Sequence, residues 1–180
     1  HTRHWTPVWC RCHDLVTEGS IGEVSTVLAT HLGPRSMLFR NGTHILDAIY
    51  WFAGAEPEWV FAELEAGYEG YSHYKGDGGH VPDTEPSANA YIRFANGVRG
   101  NYIGEKRNPG GLRMQIMGTE GLISIDNSSH TAHIDRNGEV EPIEVPVWDV
   151  EGIEAGFVEL VDVLNGNREL SCTVHHGRTV

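Results

Sequence analysis

The sequence predicts an α+β fold in which helices cover one face of an open, mostly antiparallel sheet. Alternating apolar and polar segments flank three turn signals, Asn96-Gly97, Gly118 to Gly121 and Asn137-Gly138, as expected for antiparallel hairpins. Helical apolar periodicity occurs before these hairpins and again after them. Strands grouped in sequence and separated from helices are typical of α+β layers.

The N-terminal elements follow from helix-start signals and β-branched runs. Thr6 and Pro7 supply an N-cap and a first-position proline, and an apolar stripe then continues to Gly19. The next predicted strand is rich in valine and threonine, which favour extended backbone. The predicted elements are a helix over 6–19, a strand over 24–30, a helix over 42–54 and a strand over 59–64.

The remaining elements are one long loop, three hairpins and a helix. The loop, from Tyr68 to Pro86, contains a Gly76–Gly79 run that does not join a strand to a helix, so no phosphate-binding turn is predicted there. The predicted hairpin strands cover 90–94 and 98–103, 113–117 and 122–125, and 131–134 and 140–145. The apolar residues Ile153, Phe157, Leu160, Val161 and Leu164 then trace an amphipathic helix that ends at Gly166.

Length and charge restrict the class of protein. A chain of 180 residues suits a single domain over 1–180, and its net charge of −12 argues against nucleic-acid and anionic-membrane partners. No apolar run is long enough to span a bilayer, and no signal peptide is recognisable, so we expect a cytoplasmic protein. The second face of an open sheet needs a cover, and we expect a homo-oligomer formed through it.

The cysteine and histidine spacings do not match a metal site. Cys10-Arg11-Cys12-His13 falls within a helical pattern that points Cys10 and Cys12 to different faces. Three cysteines form no disulfide framework, and the histidine pairs lack the context of a structural zinc site. We therefore expect no bound metal.

The most informative motif is Gly42-Thr43-His44-Ile45-Leu46-Asp47, at the start of a largely apolar helix. One interpretation is structural: Asn41 or Thr43 caps the helix, and Asp47 holds His44 as a satisfied pair. The other is catalytic, because a helix N-terminus disfavours imidazolium and keeps the ring able to accept a proton. Spacing alone leaves both open.

Several segments, in order, resemble the C-terminal substrate-binding domain of the glucose–fructose oxidoreductase, inositol dehydrogenase and rhizopine-catabolism (Gfo/Idh/MocA) family. The Gly42–Asp47 segment is similar to the family's Gly-x-His-x-x-Asp helix. The other similar segments are Arg3-His4-Trp5-Thr6-Pro7, Glu18 to Val24, Ala95-Asn96-Gly97 and Gly118 to Gly121.

The resemblance implies an NAD(P)-dependent oxidoreductase acting on a sugar, polyol or related small molecule. It implies that His44 transfers the proton while Asp47 orients the helix start or the imidazole. Arg40 stands where many members have an acidic residue, and we expect Arg40 and Asn41 to contact an anionic or polyhydroxy substrate, unless Arg40 is a solvated loop residue. The residues expected to bind substrate are Arg3, Arg40, Asn41, Thr43 and Asp47.

The resemblance also implies that NAD or NADP is bound mainly by a preceding Rossmann domain, which this chain does not contain. No cofactor-binding residue is therefore expected here, and the chain alone is expected to be inactive. One alternative is a catalytically silent ligand-binding or sensor domain, which Arg40 favours. A metal-dependent hydrolase, suggested by the eleven histidines, is the other.

Overall fold

The computed structural model describes residues 1–71, 74 and 81–180. The Gly76–Gly79 run of the predicted loop lies outside the described residues. The helices are α1 (Pro7–Thr17), α2 (Thr43–Ala53), α3 (Gly152–Leu164) and α4 (Val174–Thr179). The strands are β1 (Val24–Leu32), β2 (Pro57–Leu64), β3 (Ala88–Phe94), β4 (Arg99–Glu105), β5 (Gly111–Gly118), β6 (Leu122–Asp126), β7 (Thr131–Arg136) and β8 (Glu139–Pro142).

The described strands form one open sheet in the order β2-β3-β4-β1-β5-β6-β7-β8. β1 is parallel to β4, and the other described neighbours are antiparallel. The predicted α+β fold with a mostly antiparallel sheet is therefore confirmed. All three hairpins occur, and Asn137 and Gly138 both have positive φ, as a tight type I′ turn requires.

The core lies between one face of the sheet and helices α1 and α2. Along each central strand, buried side chains alternate with more exposed ones. The buried residues on this face include Val27 and Ala29 on β1 and Met114 and Ile116 on β5. α2 contacts β1 and β4, whereas α1 contacts β6 and β7. Helices on one side therefore leave the other side of the sheet uncovered by the described chain.

The helix predicted near the C-terminus is present, but its apolar stripe faces outward. Phe157 is 65% exposed and Leu164 is 77% exposed, whereas Glu159 is buried. The inward side is formed by Gly156 against the ring of Trp5 and by Glu159, which is paired with Arg168 at 3.1 Å. Among the described residues, none of the helices has the length and apolarity to cross a membrane.

Candidate active site

A π-helical turn over Leu38–Gly42 leads directly into α2 and carries two of the expected site residues. Its geometry depends on Glu85, which is fully buried. One carboxylate oxygen of Glu85 accepts the backbone N–H groups of Phe39 at 2.6 Å and Arg40 at 2.9 Å. The turn is thus held by a residue from the far end of the long loop.

Gly42 lets this turn pack closely against β4. A Cβ atom on Gly42 would lie 3.0 Å from the Tyr102 hydroxyl oxygen and 3.3 Å from the Met37 carbonyl oxygen. The Met37 carbonyl is part of the backbone and cannot rotate away from an added side chain, so a larger residue at position 42 would displace the turn. The position of the α2 N-terminus therefore follows from this close approach.

His44 lies in the first turn of α2 and is half-buried. Burial lowers the pKa of His44 below its ordinary value of 6.5, the charge of Arg3 adds to this effect, and Asp47 opposes it. Its Nδ1 atom is buried and has no hydrogen-bond partner among the described residues. His44 is therefore a neutral imidazole near pH 7, the state that can accept a proton.

Asp47 pairs with His4, not with His44, which corrects the structural interpretation of the motif. The Nε2 atom of His4 lies 3.0 Å from Oδ2 of Asp47, and neither side chain is exposed. A substrate cannot reach this carboxylate, so we withdraw Asp47 as a direct substrate contact. It acts on His44 through its charge. Sequence reasoning missed His4 because the pair spans 43 residues.

The capping expectation for Asn41 and Thr43 is wrong. Gly42 occupies the N-cap position without a side-chain hydrogen bond to the helix. The amide of Asn41 instead donates to the carbonyl of Arg35 at 2.6 Å, and the Thr43 hydroxyl donates to the carbonyl of Arg40 at 3.4 Å. Both side chains therefore brace the π-helical turn.

The two arginines expected to bind substrate have no carboxylate partner among the described residues. Arg40 is exposed at the tip of the π-helical turn. Arg3 is half-buried, its guanidinium carbon lies 5.1 Å from the ring centre of Trp9, and its Nε atom lacks a hydrogen-bond partner. Both guanidinium groups therefore remain available to an oxygen-rich ligand.

His31, on β1, is a further residue of this region. It is buried, and its Nδ1 atom lies 3.5 Å from the hydroxyl of Tyr102. Burial lowers the pKa of His31 to about 4, with further contributions from the positive charges of Arg3 and Arg35 and from His44 when that ring is protonated. Strand alternation places position 31 on the inner face, but no local signal connects it with His44.

Two of the cavities of the described chain lie on opposite faces of the sheet, and His44 lines neither. One, of about 460 Å³, lies on the outer face of the sheet beside Gln115 and His133. The other, of about 250 Å³, is apolar and lies between α2 and strands β2 to β4.

Residues 9–124 match the model of the GFO/IDH/MocA C-terminal domain. The chain belongs to this family. No curated protein matches the chain. The family assignment agrees with the open, mostly antiparallel sheet of the described strands.

Solved structures confirm the fold of this GFO/IDH/MocA domain. It is similar to UDP-N-acetylglucosamine 3-dehydrogenase GnnA from Acidithiobacillus ferrooxidans, with a TM-score of 0.71 and 20% identity over 97% of this chain and 54% of that one. It is also similar to an aldose-aldose oxidoreductase from Caulobacter crescentus, with a TM-score of 0.72 and 20% identity over 94% of this chain and 54% of that one.

A third similar structure is KijD10, a 3-ketoreductase from Actinomadura kijaniata in complex with NADP. Its TM-score is 0.66, with 21% identity over 91% of this chain and 51% of that one. The chain therefore spans about half the length of these structures, and what it shares with them at such identities is the fold.

Proposed function

We propose that this chain is the substrate-binding part of an NAD(P)-dependent oxidoreductase and that His44 exchanges a proton with its substrate. The observation that carries the proposal is a neutral, half-buried imidazole at the start of α2 in a GFO/IDH/MocA domain. Similar structures named as a UDP-N-acetylglucosamine dehydrogenase and an aldose oxidoreductase support a sugar, polyol or related small molecule as substrate.

In the oxidation direction, Nε2 of His44 accepts the proton of the substrate hydroxyl group, because Nδ1 is buried. The resulting imidazolium is attracted by the charge of Asp47 and destabilised by burial and by Arg3. These opposing effects keep the pKa of His44 below 6.5, so the ring passes its proton to water and returns to the neutral state. In the reduction direction, the same ring donates the proton.

Among the described residues, no strand is followed directly by a glycine-rich turn into a helix, the arrangement that binds a pyrophosphate. The chain spans about half the length of the similar structures. We propose that NAD or NADP, which would take up or deliver the hydride, is bound by a further part of the full-length protein. The residues of this chain transfer the proton only.

We further propose that Arg40, Asn41 and Arg3 bind an anionic or polyhydroxy substrate, with Thr43 shaping the same turn. In a chain whose net charge is −12, two guanidinium groups that have no carboxylate partner in the described part of the chain favour an oxygen-rich ligand. An arginine pairs with carboxylate or phosphate oxygens through two parallel N–H donors, so it also orients the ligand.

The test is steady-state kinetics of His44→Gln in the full-length protein that contains this chain. We expect kcat to fall about 10²- to 10⁴-fold, while substrate affinity changes little, because glutamine keeps the size but accepts no proton. His133→Gln, at an exposed position on β7, is the matched control and keeps full activity. A kcat within twofold of the wild type in His44→Gln would contradict the proposal.

Arg40→Ala tests the substrate class in the same assays. We expect KM to rise more for sugar acids than for neutral polyols, whereas Arg99→Ala, an exposed arginine on β4, leaves KM unchanged. If Arg40→Ala alters neither KM nor turnover, Arg40 is a solvated loop residue. A wild-type protein that binds sugars but oxidises none of them would instead support the silent sensor domain.

A further inference from the structure

Three side chains from separate parts of the chain meet beneath α2, one helical turn from His44. His4 comes from the N-terminal 3-10 turn, Asp47 from α2, and Cys172 from the segment between α3 and α4. One donor atom from each of them lies within 4.8 Å of the other two. The cluster uses none of the atoms that would exchange the substrate proton, although it shares Asp47, whose charge acts on His44.

The cluster contains a buried carboxylate oxygen that the described residues leave unsatisfied. Asp47 and His4 hold each other at 3.0 Å through Oδ2 and Nε2, yet Oδ1 of Asp47 is buried without a hydrogen-bond partner. A buried carboxylate oxygen without a partner is costly and uncommon in proteins, and a bound ion is one of its ordinary explanations.

The ring of His4 is held firmly in place. It lies 4.1 Å from the ring of Trp51, measured between centroids, and Trp51 in turn stacks on His13 at 4.2 Å. This packing fixes the ring so that Nε2 points to Asp47. A donor with a fixed orientation loses little entropy when it binds an ion.

Cys172 is anchored on both sides. Before it, the backbone N–H and hydroxyl of Ser171 donate to the buried carboxylate of Glu159, each at 2.9 Å. After it, Thr173 contacts Nδ1 of His176 through its hydroxyl at 2.9 Å. The thiol is therefore presented to His4 and Asp47 by a segment fastened on either side.

We propose that His4, Asp47 and Cys172 bind a divalent ion of the zinc class. Thiolate and imidazole donors favour zinc over magnesium or calcium, and zinc binds sulfur, nitrogen and oxygen at about 2.0 to 2.3 Å. Donors at these distances from a tetrahedral ion lie about 3.3 to 3.8 Å from one another, and the three donor atoms already lie within 4.8 Å of one another, so they must close in by about 1 Å. The ion replaces the thiol proton of Cys172, which passes to water, and takes the place of the proton on Nε2 of His4, which moves to Nδ1 of the same ring so that the imidazole stays neutral.

Such an ion would join three segments that are distant in sequence. Residues 4, 47 and 172 belong to elements with no strand pairing between them, so the ion would fasten both ends of the chain to α2. Binding to the folded state alone stabilises a protein by mass action, and zinc should therefore raise its melting temperature. The sequence did not show the site because its three donors share no short spacing.

The test uses the chain after treatment with a chelator and dialysis, titrated with Co²⁺ as a spectroscopic probe for Zn²⁺. We expect thiolate-to-cobalt charge-transfer absorption that saturates at one equivalent and is abolished by Zn²⁺. Cys172→Ser should remove this absorption and weaken binding by at least about 100-fold. Cys10→Ser is the matched control, because Cys10 is also half-buried but donates to the carbonyl of His4, and it should bind like the wild type.

Two outcomes would overturn the proposal. The first is that the wild-type protein shows no thiolate-to-cobalt absorption at one equivalent of Co²⁺. This measurement uses the wild type alone, so it does not depend on whether a variant folds. The other is equal Co²⁺ affinity in Cys172→Ser and Cys10→Ser. Asp47→Asn, which preserves the shape of the side chain, should weaken ion binding and abolish the zinc-dependent rise in melting temperature. Kinetics of His44→Gln remain a separate test, since that variant should bind Co²⁺ normally.

Discussion

At the scale of single residues, burial constrains the protonation of His31 strongly. Its pKa is lowered to about 4 by burial and by the neighbouring positive charges, whereas an unfolded chain binds the proton near 6.5. Between these two values the unfolded state carries the proton and the folded state does not. The free energy of unfolding therefore falls as the pH falls from about 6.5 to 4.

This contribution is measurable by urea unfolding at pH 7, 5.5 and 4. The wild type should lose at most about 3 kcal/mol through His31, because each unit of pKa difference is worth about 1.4 kcal/mol. His31→Gln should have a flatter dependence of stability on pH, whatever its absolute stability. His133→Gln, at an exposed site, should keep the wild-type slope. Parallel slopes for His31→Gln and the wild type would show that His31 does not remain neutral in the folded state.

At the scale of elements, the π-helical turn depends on one carboxylate. Glu85→Ala leaves the backbone N–H groups of Phe39 and Arg40 without their acceptor. We expect a loss of about 1 to 3 kcal/mol in the free energy of unfolding, together with faster hydrogen exchange at these two amides. If the proposed function holds, KM should also rise, because the turn carries Arg40 and Asn41.

The control for this prediction is Glu105→Ala. Glu105 also accepts a backbone N–H group, that of Arg107 at 2.7 Å, but it is exposed. Water replaces the lost acceptor there, so the change should stay within about 0.5 kcal/mol. If amide hydrogen exchange at Phe39 and Arg40 is unchanged in Glu85→Ala, the π-helical turn is stable without the carboxylate.

The sequence predicted those elements whose signals are local. The end of α2 followed from Gly54, which adopts φ +67°, and the last hairpin from Asn137-Gly138. The π-helical turn was not predicted, because its stabilising carboxylate, Glu85, lies 46 residues from Phe39. The outward direction of the α3 stripe was not predicted either, since periodicity identifies an apolar face but not what covers it.

The candidate site shows the same limit. The motif located His44 and the turn that carries Arg40, because these residues are adjacent in sequence. It did not locate the partner of Asp47, because His4 is brought there by packing against Trp51. Helical spacing states which residues share a face, whereas the hydrogen-bond partner depends on the segment that crosses that face.

At the scale of the whole molecule, the uncovered face of the sheet presents apolar side chains. Phe61 is 73% exposed, Trp59 is 52% exposed and Ile103 is 42% exposed, and Trp59 lies 5.5 Å from the ring of Tyr91 across β2 and β3. Strand alternation directs these residues away from the helices. We propose that a second copy of the chain covers this face. The open sheet predicted from the sequence led to the same expectation of a homo-oligomer.

Sedimentation velocity of the wild type and of Phe61→Glu tests this proposal. We expect the wild type to be oligomeric and Phe61→Glu to shift toward the monomer, because the introduced charge would be buried without a partner in the interface. The fold itself should tolerate the change, since the side chain at position 61 is exposed in the single chain. Val147→Glu, at a position that is 97% exposed between β8 and α3, is the matched control and should remain oligomeric. A monomeric wild type, or an oligomer that Phe61→Glu leaves intact, would show that this face stays in contact with water.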